Sequence, residues 1–375
     1  MQILIAPDSF KGSLSAQAVA NALMRGLARV LPESSVRIQP MADGGEGTAA
    51  VVEQLGGIRV PAPTTTIYGQ PTEGYWIRWE RTAVVEAAVG SRFVPIDRRQ
   101  FSGEHTTSLG TGLLIAHALA DPGIDRVIVA LGGTGSTDGG MGLLSALGAR
   151  FEDSHGRVLE PFGDNLEHVE KYSAPHLTKP LTGIYDVQVP LVGHRGAVAQ
   201  FGIQKGIAPD HVDRINAAMS QYAHRVQSQQ NEDWIDNLGA GSAGGMGFGI
   251  LAAGGYLESG AETISRWCKL DEQIQAADWI VTGEGRIDRQ TLEGKVVGTV
   301  ARHAEYYHKP VVAVVGSRTD DLHELHQAGL TLVMPLATGP MTLQDEMANT
   351  PQLLSLLGEE LGWLMKTLNH TGDLG

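Results

Sequence analysis

Short apolar runs alternate with amphipathic stretches at both ends of this chain, whereas the middle adds strand-like alternation of apolar and polar positions. Residues 2–6 form an apolar run of the right length for a buried strand. Helical spacing follows at Val19, Leu23, Leu27 and Val30, with Ser13 or Ser15 placed to cap the helix and Pro32 to end it. Residues 35–39 predict the next strand, starting at Ser35, and 47–55 a helix stopped by Gly56-Gly57. The C-terminal part repeats this rhythm. Strands are expected at 278–282, 310–315 (closed by Gly316) and 330–335, with helices at 294–307, 320–328 and 351–368. Such alternation predicts a parallel sheet with right-handed crossovers.

In the middle, 74–80 and 83–87 read as paired antiparallel strands, and 150–160 as a hairpin around Asp153-Ser154-His155-Gly156. Prolines and threonines over 61–66 suggest a crossing point between domains. A chain of 375 residues accommodates about two domains. The expected class is α/β, with two α/β domains. One is a discontinuous Rossmann/flavodoxin-like parallel-sheet domain formed by 1–60 and 275–375. The other is an inserted mixed α/β domain over 61–274. A sequential two-domain split is the rival arrangement.

Composition narrows the function. The 42% hydrophobic and 19% charged residues are an ordinary globular mix. A formal charge of -14 without Lys/Arg clusters argues against a nucleic-acid partner. Cys268, the single cysteine, excludes an intramolecular disulfide framework and suits a reducing compartment. The N-terminus has no signal-peptide pattern, and no apolar run reaches the length of a membrane span. A cytoplasmic enzyme with no membrane partner, monomeric or homodimeric, is the expectation.

Glycine, at 48 residues, is clustered around acidic positions. Asp8-Ser9-Phe10-Lys11, Asp43-Gly44-Gly45-Glu46-Gly47 and Gly283-Glu284-Gly285-Arg286 each stand where an apolar run ends, the place at which open α/β sheets take ligands. Carboxylates there can hold Mg²⁺ or orient a hydroxyl, and backbone N–H groups can hold phosphate oxygens. The segment from Gly132 to Gly142, rich in glycine and hydroxyls, reads as an anion cradle, and that from Gly239 to Gly247 as either close helix packing or ligand contact. Lys11, Lys205 and Lys295 each adjoin glycine, and Asp186 closes an apolar run before Pro190. No P-loop, kinase catalytic loop, dinucleotide glycine fingerprint or serine-hydrolase elbow occurs.

Taken together these segments resemble the bacterial, type I glycerate kinase family. The resemblance rests on IAPDSFKGSLSA from Ile5, MADGGEGT from Met41, TTSLGTG from Thr106 and GGTGSTDGG from Gly132. It continues through FGIQKG from Phe201, GAGSAGGMG from Gly239 and VTGEGRIDRQTLEGK from Val281. It implies ATP-dependent phosphorylation of D-glycerate, usually to 2-phosphoglycerate, with Mg²⁺, in a cleft between two α/β domains. The implied catalytic residues are Asp8, Lys11, Asp43, Asp186 and Lys295, with Asp43 and Asp186 as metal ligands. Ser9, Glu46, Glu284 and Arg286 are the implied substrate contacts, Arg286 for the glycerate carboxylate. Gly132, Gly133, Thr134, Ser136, Asp138, Gly139 and Lys205 are implied for ATP.

The chain departs from the family pattern at Thr137, where asparagine is usual, and at Val89-Gly90 and Val198-Ala199-Gln200. It departs again around Asp186, where Val189 replaces an asparagine and removes a donor and an acceptor. Three alternatives stay open: a kinase for a related hydroxy acid, one forming 3-phosphoglycerate, and a non-catalytic ligand-binding sensor.

Overall fold

The computed structural model describes residues 1–31, 36–92, 102–230, 232–318 and 321–371. Pro32, Ser35 and Asp320, which figure in the expected boundaries, lie outside them. In chain order the strands are β1 (Ile3–Ile5), β2 (Val36–Ile38), β3 (Ile58–Thr65), β4 (Pro71–Trp79), β5 (Thr82–Glu86), β6 (Arg126–Ala130) and β7 (Arg150–Glu152). They continue as β8 (Lys171–Ser173), β9 (Leu181–Tyr185), β10 (Tyr256–Ser259), β11 (Trp279–Ile287), β12 (Val311–Arg318) and β13 (Leu330–Pro335).

The chain divides into two compact units, one of Met1–Asp43 with Ala261–Gly375 and the other of Gly44–Gly260. In the first unit the strands are all parallel, in the order β13-β12-β11-β1-β2. Counted along this unit alone, that is the flavodoxin-type order 2-1-3-4-5, whose direction of winding reverses between β1 and β11. Ile3, Ile5, Val281, Val312 and Val314 supply its buried strand core. The helix Ala16–Leu27 packs on that core through Val19, Leu23 and Leu27, and Ser15 caps it by accepting from the Ala18 N–H at 3.3 Å.

Three expected elements of this unit are longer in the structure. β11 runs on through Gly283–Arg286 instead of ending at 282, because it pairs with β12 as far as Ile287↔Arg318; β12 accordingly passes Gly316. The last helix, Leu343–Thr371, begins well before Pro351, which sits inside it. Thr342 starts it by accepting from the Asp345 N–H at 3.1 Å. A proline removes the bond to the carbonyl four residues back. Here that carbonyl, of Met347, accepts from the Ser13 and Thr350 hydroxyls instead, at 3.0 and 3.1 Å.

The second unit holds a six-stranded sheet, β10-β9-β6-β5-β4-β3. β5, β6, β9 and β10 are parallel, and β4 and β3 extend the sheet antiparallel beyond β5. Its core gathers Trp76, Val85, Val129, Leu143, Tyr222 and Phe248.

Two sequence expectations change here. Residues 61–66 mark no crossing between units: all but Thr66 are part of β3, with Pro61 opposite Tyr75 and Pro63 opposite Glu73. β3 is an edge strand, where the missing proline N–H costs no ladder bond. The division therefore falls at 43/44 and 260/261 rather than at 60/61 and 274/275. Residues 150–160 do turn at Asp153, whose carboxylate accepts from the His155 and Arg157 N–H groups. The turn makes only one bridge, Glu152↔Val158, and the ladder partner of β7 is β8.

Candidate active site

In the first unit the chain leaves β1 through Ala6-Pro7 into Asp8, whose N–H donates to the Gly283 carbonyl at 2.8 Å. That bond ties the end of β1 to β11 at the reversal point, the position where sheets of this topology take ligands. The Asp8 side chain is buried and accepts from the Ser9 N–H at 2.6 Å. Burial, followed by the Asp43 and Glu284 carboxylates, pushes the Asp8 carboxyl well above the usual carboxylate range. Glu284, on β11, is likewise buried and pushed up to about 7, chiefly by desolvation, with Asp43 and Asp288 adding to it. Two neighbours oppose that shift. Lys295 Nζ lies 3.6 Å from Glu284 Oε2, and the Thr291 hydroxyl donates to Glu284 Oε1 at 2.6 Å. Lys295 stands directly before the helix Val296–Tyr306. Arg286 is exposed, 3.4 Å from Asp288, and Lys11 is exposed on the turn after Phe10.

Three carboxylates thus act on one another, Asp8 and Glu284 buried and Asp43 half-buried, with the Lys295 ammonium beside Glu284. Sequence motifs brought out Asp8, Asp43, Glu284 and Lys295 but passed over Thr291 and Asp288, whose part depends on the turn after β11. Like-charge crowding of hard oxygen donors is a suitable setting for a divalent cation, and Mg²⁺ needs only one or two protein carboxylates because it keeps several waters. Among the described residues no group of three or more His, Cys, Asp or Glu is placed to hold a metal ion by itself.

In the second unit, functional positions stand at the C-terminal ends of adjacent parallel strands: Glu86 ends β5, Gly132 follows β6 and Asp186 follows β9. The Gly44–Gly47 turn lies against them. A Cβ on Gly132 would run into the backbone of Gly45 and stand 3.1 Å from Asp186 Oδ2, so only glycine allows the two loops to meet. Gly133 lies beside Glu46, whose Oε2 would be 3.6 Å from an added Cβ. Glu46, Gly132, Gly133 and Asp186 are therefore neighbours.

Glu86 is not among the site residues expected from the sequence motifs. Its carboxylate accepts from the Ala49 N–H at 2.9 Å, and from that of Gly47, at the start of the helix Thr48–Gln54. Burial raises its pKa, and these backbone bonds resist the rise.

Two residues expected to touch ATP are occupied by the loop itself. Asp138 is fully buried, and Oδ2 accepts from the Ser108 N–H and hydroxyl at 2.7 and 2.8 Å and from the Gly142 N–H at 3.0 Å. Oδ1 accepts from the Gly140 N–H at 3.1 Å. A carboxylate with four such donors and no exposed surface fixes the loop instead of meeting a ligand. Lys205, also buried, donates to the Ser136 carbonyl at 2.9 Å and lies 3.4 Å from the Thr134 hydroxyl. Gly139 donates its N–H to the Gly244 carbonyl at 3.0 Å, and an added Cβ on Gly244 would strike the Ser136 backbone. For the 239–247 segment, close packing is the reading this contact supports. The Ser136 and Thr137 hydroxyls are buried without a hydrogen-bond partner.

Comparison with known proteins adds an independent line. The model of the glycerate kinase family matches residues 3–366. The chain is 38% identical to glycerate 2-kinase of Escherichia coli over 92% of its own length and 93% of that protein's. It is 35% identical to glycerate kinase of Bacillus subtilis over 98% of each. The crystal structure of a candidate glycerate kinase 2 from Salmonella typhimurium superimposes with a TM-score of 0.82 at 35% identity, covering 99% of both chains. Among the described residues no helix is long and apolar enough to cross a membrane.

Proposed function

This chain belongs to the glycerate kinase family and is a kinase, and from that premise we propose that it transfers the γ-phosphoryl group of ATP to D-glycerate, giving 2-phosphoglycerate with Mg²⁺ as cofactor. The observation that carries the reading is the crowding of Asp8, Asp43 and Glu284 beside Lys295 at the β1–β11 reversal. Burying like charges is unfavourable for folding. Such an arrangement suits a site whose ligands bring positive charge or a hydroxyl proton.

Phosphoryl transfer asks a protein chiefly for positioning and charge neutralisation. Asp8, with Ser9, accepts the glycerate hydroxyl and orients it for attack. Glu284 keeps the Lys295 ammonium in place, and Lys295 and Lys11 meet phosphate oxygens as point charges. Arg286 pairs the substrate carboxylate through its two-pronged guanidinium. In the second unit the Gly132–Gly133 backbone offers N–H groups to phosphate oxygens, held by Asp138 and Lys205 from behind, and Glu46 stands beside them. Asp43 and Asp186 are the carboxylates that would serve Mg²⁺, each within its own unit, and the cation would supply charge neutralisation at phosphoryl oxygens. The protein has no targeting requirement for this chemistry, and cytoplasmic action fits it.

Phosphorus NMR of the product from D-glycerate, ATP and Mg²⁺ tests the reading. A 2-phosphoglycerate resonance supports it. A 3-phosphoglycerate resonance corrects the regiochemistry, and absence of product with glycerate but turnover with another hydroxy acid moves the substrate.

A further inference from the structure

Beyond the ends of β11 and β12, in the first unit, lies a cavity of about 630 Å³, which Arg286, assigned above to the substrate carboxylate, lines at one side and whose remaining lining has no role so far. Its volume falls within the range of small-molecule sites, roughly 300–1,000 Å³. The lining has three chemistries side by side. Leu292, Leu322 and Leu325 give an apolar wall, Asp321 and Glu324 stand as carboxylates, and Arg289 brings a guanidinium. Asp288 lines the same cavity and acts electrostatically on Glu284, so one end of the cavity borders the carboxylate–lysine cluster.

We propose that this cavity receives the nucleoside end of the phosphoryl donor, a purine nucleotide, with its phosphates directed toward Glu284 and Lys295. The proposal rests on the kinase reading above and names where the donor sits. The base lies on the leucine wall, excluded from water. The ribose hydroxyls donate to Asp321 or Glu324, acceptors well suited to a vicinal diol. Arg289 faces the phosphate chain. In the present structure Arg289 Nε is 3.0 Å from Glu324 Oε2, with side chains 81% and 53% exposed. An ion pair that exposed contributes little to stability, so an incoming phosphate can take the guanidinium at small cost. The location also follows the topology, since residues 288–292 follow the C-terminal end of β11, the strand beside the reversal point.

The test is isothermal titration of the full chain with the non-hydrolysable analogue AMP-PNP, without glycerate, in wild type and in the variants Arg289→Ala and Glu324→Ala. Both replaced side chains are exposed, so folding should survive, and circular dichroism checks that it does. Each change should weaken AMP-PNP binding by about tenfold, the worth of one hydrogen bond to a charged group. Glu324→Ala should also narrow any preference of the protein for ribo- over 2′-deoxy-nucleotide. Wild-type affinity in both variants overturns the proposal, as does inorganic triphosphate binding as tightly as AMP-PNP. Because glycerate is absent, failure to phosphorylate glycerate leaves this readout intact. Conversely, an active enzyme whose variants bind AMP-PNP normally loses only the cavity assignment.

Discussion

Both units place buried carboxylates at strand ends, yet they handle the charge in opposite ways. In the first, burial pushes Asp8 and Glu284 up and other carboxylates add to the rise, against the Lys295 ammonium and the Thr291 hydroxyl at Glu284 and the Ser9 N–H at Asp8. In the second, Glu86 and Asp138 are pushed up by burial but drawn back by backbone N–H donors at helix starts and loop turns. A carboxylate satisfied by several N–H groups is a structural tie. One crowded by like charge keeps affinity for a cation or a proton. The difference separates residues that build the scaffold from residues available for chemistry, although all four are acidic, buried and near glycine.

The sharpest way to break that division is Asp43→Asn. It should lower kcat by about two orders of magnitude or more while leaving the melting temperature nearly unchanged. Near-normal turnover in a steady-state assay would remove Asp43 from the catalytic set.

Asp138→Asn should do the reverse. The amide nitrogen would take the place of one acceptor oxygen, leaving either Gly140 or Ser108 and Gly142 without their acceptor, and stability should fall by about 3 kcal/mol in urea unfolding. A variant that stays stable but loses only ATP affinity would make Asp138 a ligand contact after all.

Glu284→Gln tests the like-charge side through pH, in metal-free buffer. The folded pKa near 7 lies above the ordinary 4.5, so folding binds a proton between these values. The associated stability is whole below about pH 4.5 and is lost as pH rises through 7, up to about 3 kcal/mol. Denaturation at a series of pH values should show a steeper decline for wild type over this window than for Glu284→Gln. Equal slopes would mean that Glu284 is not crowded as described.

A smaller effect is expected at Gly132→Ala, where the added methyl presses on the Gly45 backbone and should cost about 2 kcal/mol. The smallest belongs to Ser136→Ala. Its buried hydroxyl has no partner, so removing it should change stability by less than about 1 kcal/mol. A large loss of nucleotide affinity in that variant would instead identify the hydroxyl as a ligand contact.

Much of this was legible in the chain. The βα rhythm at the two ends gave the parallel strands, the serines at 13 and 15 the first cap (taken by Ser15), and the 74–80 and 83–87 pattern the antiparallel pair of β4 and β5. Local chemistry sufficed there because periodicity and capping involve residues a few positions apart. Strand ends were less legible: β11 continues past Thr282 because β12, roughly thirty residues later, pairs with it. Pro351 resembled a helix start since only the folded chain brings Ser13 to the Met347 carbonyl. The prolines of β3 resembled a linker, and only sheet order makes that strand an edge.

The sequence by itself determined the α/β class, the family and the set of acidic, glycine and lysine positions worth testing, because these are properties of residue type and order. Tertiary structure alone decided which of those carboxylates are crowded by like charge. Whether a buried charge meets another charge or a row of N–H donors depends on groups far apart in the chain. Asp8 meets Asp43 and Glu284, whereas Asp138 meets Ser108 and its own loop.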